Sequence, residues 1–444
     1  MTALRDPVRV IPLLFLVAIA AGTALLWLPV ASADGTQTSL LTAFFTATSA
    51  ISVTGLIVVD TPTYWSFFGQ VVILALFQIG GFGIMSAATI FGLIAGRGFD
   101  LRARMATYIE RSRLAIGDAR SVLFLVLSVT LIVEAVVALI LSARLALGHG
   151  YDWPSAIWHG VFHSVSAFNN AGFSSYSDSV MGFQSDALML VPIMISITIA
   201  TVGFPVLQDL RANGLGWKRD ALHSKITLAG TAALLLLGFA AMLGMEWSNP
   251  ATLGPTPVAD KLLNAAFHSA MPRTAGFNSL DVGALRDETV LFNYVLMFIG
   301  GGSAGTAGGI KITTVALLFV ILIYQVRGLG EAEIEGRRVS NRLASQAVTV
   351  IMFALTVIFV ATFYLSVRTP HSLTDISFES ISAFATVGLS RGITGPLPVD
   401  GQLVIVALMW IGRVGTITAA TWLALGARGK GSPPRNSPKE PIIG

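Results

Sequence analysis

Four stretches of this chain are built from small, mostly uncharged residues and end on glycine followed by Leu or Phe. They are TATSAISVTGLIVVD from Thr46, HSVSAFNNAGF from His163, HSAMPRTAGF from His268 and ESISAFATVGL from Glu379. Their terminal segments are Val53, Thr54 and Gly55; Asn170, Ala171 and Gly172; Thr274, Ala275 and Gly276; and Thr386, Val387 and Gly388. These side chains are small or neutral, as expected if the chemistry they offer is that of the main chain. A ring of backbone carbonyls replaces the hydration shell of a cation without any ionised ligand. Glycine suits such a ring, because turning carbonyls toward a common axis needs unusual backbone angles and close approach.

The glycines fall at 55, 172, 276 and 388, which defines a repeat of about 110 residues. Three copies share a Ser-Ala pair at one offset: Ser49 and Ala50, Ser166 and Ala167, Ser382 and Ala383. Phe45, Phe162 and Phe378 stand ten residues before their glycines, and Phe267 nine before Gly276. The third copy is thus one residue short, with Pro272 and Arg273 in place of small or apolar residues. A single such stretch reads as a glycine turn on an outer loop; four copies, one per outward loop, read as one shared site.

Each copy holds roughly 11 helical residues, too few to cross a bilayer, and then a few extended ones. Beside full spans, this predicts a re-entrant segment, whose irregular backbone is tolerated at membrane depth only if it is buried in protein or lines a water-filled cavity. The C-terminal ends of four short helices aimed at one centre each bring about half a negative elementary charge, which favours a dehydrated cation.

The rest of the chain supplies the frame. Of 444 residues, 54% are hydrophobic and 12% charged, against about 25% charged in soluble domains. Apolar runs predict eight spans near 10–30, 67–96, 120–147, 186–210, 224–245, 290–325, 343–367 and 402–426. Lys and Arg gather at the N-terminus, in Arg97–Arg120, Arg211–Lys225 and Arg327–Arg342, and in the tail from Arg428. By the positive-inside rule these segments, and both termini, are cytoplasmic. The intervening loops carry carboxylates such as Asp60, Asp152, Asp281 and Asp400. The first apolar run lacks a small-residue cleavage site and reads as a retained helix. Cysteine is absent, so thiol chemistry contributes nothing.

The expected fold is an all-α polytopic membrane protein of four membrane-pore-membrane repeats: eight spanning helices plus four re-entrant pore helices around a pseudo-fourfold pore. The repeats are 1–110, 111–215, 216–335 (with a broken second helix) and 336–428, followed by a disordered cytoplasmic tail at 429–444.

SAISVTGLIVVDT, FHSVSAFNNAGF, PRTAGFNSLD, ISAFATVGLS and the glycine-rich GGGSAGTAGGIKITT together resemble the Trk/Ktr/HKT superfamily of potassium transporters, most closely its bacterial KtrB-type membrane subunits. The resemblance covers nearly the whole chain. It implies potassium uptake across the bacterial cytoplasmic membrane, with one filter glycine per repeat and Gly55 as the mark of potassium selectivity. It also implies a homodimer seated on a cytosolic, KtrA-like ring of nucleotide-binding regulatory subunits, leaves room for sodium as an activating ion, and calls for no organic cofactor and no nucleic acid. Basic cytoplasmic loops would also meet anionic lipid of the bilayer.

The sixth span is interrupted by Gly300, Gly301, Gly302, Gly305, Gly308 and Gly309, with Ser303 and Thr306 between them. Each glycine costs about 1 kcal/mol in a helix interior relative to alanine, so the run predicts a loop obstructing the inner half of the pathway, and the resemblance implies an intramembrane gate. A glycine-lined close helix contact is the alternative; a phosphate loop is not, because GxxxxGK[ST] is unmatched. Lys311 and Arg413 lie at membrane depth, where ionisable residues default to functional roles. The resemblance puts Arg413 beside the gate; otherwise it is a hydrogen-bonder to helix carbonyls, and Lys311 could snorkel toward the cytosol.

Glu134 has no evident partner in the sequence, and either packing or function would account for it. His159 and His163 share a helix face but lack a third metal ligand, which favours hydrogen bonding. Arg273, beside the third segment, is open to two readings, pairing with an outer carboxylate such as Asp281 or a packing and hydrogen-bonding role. An enzyme is excluded by the lack of a nucleophile–base set. A TrkH-like or sodium-permeable cation transporter, or a secondary transporter with a midplane site, remains the alternative, though four parallel repeats differ from the usual inverted pair.

Overall fold

The computed structural model describes residues 7–96, 114–214 and 222–415. The expected tail at 429–444 and most of the Arg97–Arg120 cluster lie outside them. The described residues are helical apart from loops and one two-stranded hairpin, Glu333–Ile334 against Arg337–Arg338.

In chain order the principal helices are α1 (Pro7–Leu26), α2 (Leu40–Ile51), α3 (Phe67–Gly96), α4 (Leu114–Gly148), α5 (Trp153–Asn169), α6 (Ala187–Val202), α7 (Phe204–Asn213) and α8 (Leu222–Glu246). They continue with α9 (Val258–Ala270), α10 (Asp287–Phe298), α11 (Ile312–Val326), α12 (Asn341–Arg368), α13 (Leu373–Ala385) and α14 (Val399–Trp410).

Among the described residues, Phe124–Gly148, Leu222–Glu246 and Leu343–Arg368 are long and apolar enough to cross a membrane. Their apolar side chains face outward: on α12, Phe359, Phe363 and Val367 are exposed. A helix that shows Phe and Val on its open face is solvated by hydrocarbon rather than water. Pro12–Leu26, Phe67–Gly83 and Ile312–Val326 are shorter apolar helices at other expected spans.

The span expected at 186–210 is not one straight helix. It breaks at Gly203, and α6 and α7 meet at 91°. Gly203 takes φ +92°, open to glycine at no steric cost, and Pro205 in the first turn of α7 has no N–H to continue the α6 ladder. The expected sixth span, near 290–325, is also interrupted: α10 ends at Phe298 and α11 begins at Ile312.

The short helices α2, α5, α9 and α13 occupy the interior. Phe45, Phe162, Phe267 and Phe378 are all essentially buried, one on each. Side-chain caps fix three of the four starts, with Ser39, Asp152 and Ser372 accepting from the N–H groups of Thr42, Ser155 and Asp375. Such caps satisfy donors that the first turn leaves open.

Candidate functional site

After each short helix the chain enters the left-handed region twice in three residues. The φ angles are +57° and +88° at Val53 and Gly55, +58° and +69° at Asn170 and Gly172, +85° and +71° at Thr274 and Gly276, and +51° and +91° at Thr386 and Gly388. Non-glycine residues there cost about 1–2 kcal/mol, so four recurrences mark a geometry that the surrounding packing imposes. The side chains of Val53, Thr54, Asn170, Ala171, Thr274, Ala275, Thr386 and Val387 are all buried.

The four glycines meet. A Cβ placed on Gly55 would lie 3.1 Å from the Cα of Gly172, and one on Gly172 would lie 3.0 Å from the Cα of Gly276. From Gly276 the distance to the Cα of Gly388 is 3.2 Å, and from Gly388 to the Cα of Gly55 it is 3.3 Å. The contacts close into a ring. Each glycine abuts the carbonyl oxygen of the residue before the next one: Ala171, Ala275, Val387 and Thr54 in turn. Any side chain at these positions would occupy the space of a neighbouring carbonyl. One face of the ring opens onto a cavity of about 470 Å³ whose lining includes Asp60, Asp178 and Asp281.

The recurring serine anchors the turn. The N–H groups of Thr54, Ala171 and Val387 donate to the carbonyls of Ser49, Ser166 and Ser382, each at 2.8 Å. The hydroxyls of Ser49 and Ser382 accept from the N–H groups of Gly55 (3.1 Å) and Gly388 (3.2 Å), while Ser166 donates to the carbonyl of Phe173 at 2.8 Å. The short third copy wraps differently, with Ala275 donating to Met271 at 3.0 Å.

The glycine-rich segment crosses directly against these turns. Ile299 and Ile310 bridge its two ends, and Gly300 N–H donates to the Ile310 carbonyl at 2.9 Å. Thr306 Oγ1 donates to the carbonyl of Phe168 at the end of α5 (3.4 Å), and Gly308 packs against the carbonyl of Ala385 at the end of α13. Gly302 N–H donates to Thr201 (2.9 Å), Thr306 N–H to Ala200 (3.3 Å) and Phe204 N–H to Ala304 (3.4 Å), so the broken end of α6 supplies the segment's partners. Gly203, Ser303 and Gly305 lie in mutual contact, leaving no room for a side chain at Gly203. Lys311 Nζ donates to the Ala307 carbonyl at 2.7 Å, and buried Arg413 Nη1 donates to the Thr306 carbonyl at 2.6 Å. Arg413 sits in a π-helical turn, Ile411–Gly415, that follows α14.

Sequence reasoning missed Gly203 and the carbonyls of α6, although Gly-Phe-Pro is a break signal. It also left Glu134 without partners: Gln78 Nε2 (3.3 Å) and Asn169 Nδ2 (3.2 Å) donate to its carboxylate, which is buried. Arg273 does not reach Asp281. It is buried and donates to the carbonyl and hydroxyl of Thr231, at 3.3 and 3.5 Å, because the shortened third turn draws its side chain inward toward α8. His159 pairs with Ser175 Oγ (2.6 Å) and His163 with Ser174 Oγ (2.9 Å); among the described residues no group of three or more His, Cys, Asp or Glu side chains gathers into a metal site.

The comparisons agree with one another. The chain is 38% identical over 412 residues to the Ktr system potassium uptake protein B of Bacillus subtilis, covering 93% of this chain and 92% of that protein. It is 35% identical to the potassium/sodium uptake protein NtpJ of Enterococcus hirae, again covering 93% and 92%. In fold it is similar to the crystal structure of the potassium transporter TrkH from Vibrio parahaemolyticus, with a TM-score of 0.72, 19% identity, and coverage of 95% of this chain and 84% of that one. The description "Cation transport protein" fits residues 2–215 and 225–426. Over nearly its full length, then, this multi-pass membrane chain belongs to the TrkH family of cation transport proteins, a family of transporters and not of enzymes.

Proposed function

We propose that this chain is the pore subunit of a Ktr-type potassium uptake system, passing potassium through a carbonyl-lined filter formed by four membrane-pore-membrane repeats. The observation that carries the reading is the closed ring of Gly55, Gly172, Gly276 and Gly388, each against the carbonyl that precedes the next. Left-handed residues on either side of one intervening residue, in all four segments, support an arrangement in which main-chain oxygens line the axis. Potassium is named for both relatives, for the second together with sodium, and a ring of carbonyls replaces the hydration shell of potassium in potassium-channel filters.

The loop Gly300–Gly309 is the gate of this pathway. Its contacts with the ends of α5 and α13, on the segments that lead into the ring, support a reading with glycine backbone across the route of an ion, to which Arg413, bound to Thr306, adds a positive charge. The repeats are 1–110, 111–215, 216–335 and 336–428, with termini and basic loops in the cytoplasm of a bacterial cell. The assembly is a homodimer on a KtrA-like ring, with sodium as a candidate activator.

Rubidium flux into proteoliposomes tests this reading. Uptake should saturate with rubidium, compete with external potassium, and exceed sodium uptake. Flux that does not saturate, or that sodium matches, in the presence of the regulatory partner would reject a potassium-selective pore. Deleting part of Gly300–Gly309 should raise flux, and an equal or lower flux in a folded deletion would remove the gate.

A further inference from the structure

Two of the four filter turns carry an extra side-chain clamp, and they face each other across the ring. The glycines contact one another in the order 55, 172, 276, 388, so Gly172 and Gly388 are diagonal. Nine residues before each lies a buried polar side chain, His163 on α5 and Glu379 on α13; two residues after each lies a serine, Ser174 and Ser390. The structure joins them in both cases. His163 Nε2 and Ser174 Oγ are 2.9 Å apart, and Ser390 Oγ donates to Glu379 Oε2 at 3.0 Å.

The fourth-repeat clamp is the more developed. Thr394 Oγ1 donates to Glu379 Oε1, the hydroxyls of Ser390 and Thr394 are 3.0 Å apart, and Gly392 N–H donates to Ser390 Oγ at 3.0 Å. The carboxylate thus ties the buried helix to a five-residue stretch of the outer mouth, where Ser390, Gly392 and Thr394 line the cavity. The other two turns lack the pairing. The residues at the same offsets are Thr46 and Ile57 in the first copy. In the third copy, which is one residue shorter, His268 stands eight residues before Gly276 and pairs instead with Asn293 of α10, at 3.3 Å.

We infer that Glu379, acting through Ser390 and Thr394, is a positioning residue that sets the width and rigidity of the fourth filter turn and so helps to determine ion discrimination, with His163–Ser174 as its weaker counterpart across the ring. The inference rests on the filter reading above. The buried carboxyl group of Glu379 accepts from both hydroxyls at once, and a buried polar group that loses its hydrogen-bond partner is penalised, so the shared acceptor holds both hydroxyls in place. A filter held on a diagonal pair of turns would tighten along one axis, so the four repeats would contribute unequally to selectivity.

The experiment is a double-mutant cycle on the rubidium-to-sodium uptake ratio of the full-length protein with its regulatory partner in proteoliposomes. Glu379→Ala and Ser390→Ala should each lower the ratio at least threefold, and the double variant should lower it no further than Glu379→Ala does, because Glu379→Ala already removes the contact that Ser390→Ala removes. Glu379→Gln, which keeps an acceptor for Thr394, should recover part of the ratio. Ratios unchanged in folded Glu379→Ala, or losses that simply add, would overturn the inference. Should Glu379→Ala fail to fold, Ser390→Ala and Thr394→Val at the cavity wall decide the matter: a lowered ratio in both supports the clamp, and an unchanged ratio in both removes it. A wild-type protein that itself fails to discriminate would instead reject the filter reading and take this inference with it, so the two failures are distinguishable.

Discussion

The guanidinium of Arg413 donates to the carbonyl of Thr306, 107 residues away, at 2.6 Å. A cation that follows the last long helix is thereby fastened to the glycine-rich segment between α10 and α11. At an effective dielectric near 20, two unit charges ~8 Å apart repel by about 2 kcal/mol, equivalent to roughly thirtyfold in rate. Arg413→Gln should therefore raise rubidium uptake by about one order of magnitude, and it also frees the loop from its tether. Flux in the folded variant at or below the wild-type level would show that the arginine is only a structural hydrogen-bonder.

Gly55→Ser is the sharpest test of the ring. A Cβ at Gly55 meets the Ala171 carbonyl and sits 3.1 Å from the Cα of Gly172, at a φ of +88° that side chains rarely adopt. The neighbouring oxygen must move outward, so the ring should widen or lose its symmetry. The expected result is a several-fold fall in the rubidium-to-sodium ratio with flux retained. An unaltered ratio would argue that Gly55 lies off the ion's route.

Recurrence made the meeting of these segments legible in the sequence: four glycines at similar spacing, each after a phenylalanine and, in three copies, a Ser-Ala pair. The interruption of the sixth span was equally visible, because glycine's conformational freedom accumulates over ten residues. What was not legible depends on contacts between distant segments. The role of Ser49 as acceptor for Gly55 N–H follows from how the helix end turns. The partners of Glu134 lie 56 and 35 residues away. Arg273 carried a misleading local signal, since outer carboxylates are near in sequence whereas Thr231 is near only in space. Gly203 sat inside an apolar run whose composition outweighed one Gly-Phe-Pro.

That missed glycine yields a prediction. Gly203 takes φ +92°, and a Cβ there would press on the Ser303 carbonyl while lying 3.3 Å from Gly305 N. Gly203→Ala should cost about 1–2 kcal/mol from the left-handed backbone alone and should push the glycine-rich segment out of register with Thr201. Thermal melting should fall by a few degrees, and rubidium flux should change with it. Wild-type melting and flux together would show that the break at Gly203 is relaxed and has no bearing on the loop.

At the N-terminus of α6, Asp186 supplies a pH dependence. It caps α6 through Leu188 N–H at 3.0 Å, and it accepts from Arg144 Nε and pairs with His149 Nε2, both at 2.7 Å. Desolvation is the largest influence and raises its pKa, but the hydrogen bonds from His149 and Arg144, the Arg144 charge and the Leu188 N–H together outweigh it and hold the carboxyl below its usual range. A carboxylate depressed in the fold contributes stability that is fully present above its unfolded pKa, about 3.9, and is lost as pH falls through the folded value. Wild type should therefore lose melting temperature below about pH 4 more steeply than Asp186→Asn, and the variant should be less stable at pH 7. Parallel acid profiles for the two proteins would remove Asp186 as a source of the dependence.

Glu134 separates packing from function at the second turn. Its carboxylate receives Gln78 and Asn169, and its carbonyl accepts from Ser164 Oγ at 2.6 Å, so α3, α4 and α5 are joined around one buried group. Glu134→Ala removes the shared acceptor and leaves the partly buried Gln78 Nε2 without it, whereas Asn169 Nδ2 keeps Gln78 Oε1 and the Val165 carbonyl; an unsatisfied buried polar group costs about 1–3 kcal/mol. The folded fraction after detergent extraction and the melting temperature should both fall clearly. Because Asn169 directly precedes Asn170, whose Nδ2 donates to Thr201 at 2.9 Å and Thr274 at 3.3 Å, selectivity should fall less than stability does. A variant as stable as wild type would mean that the amides find other partners and that Glu134 does not anchor the second turn.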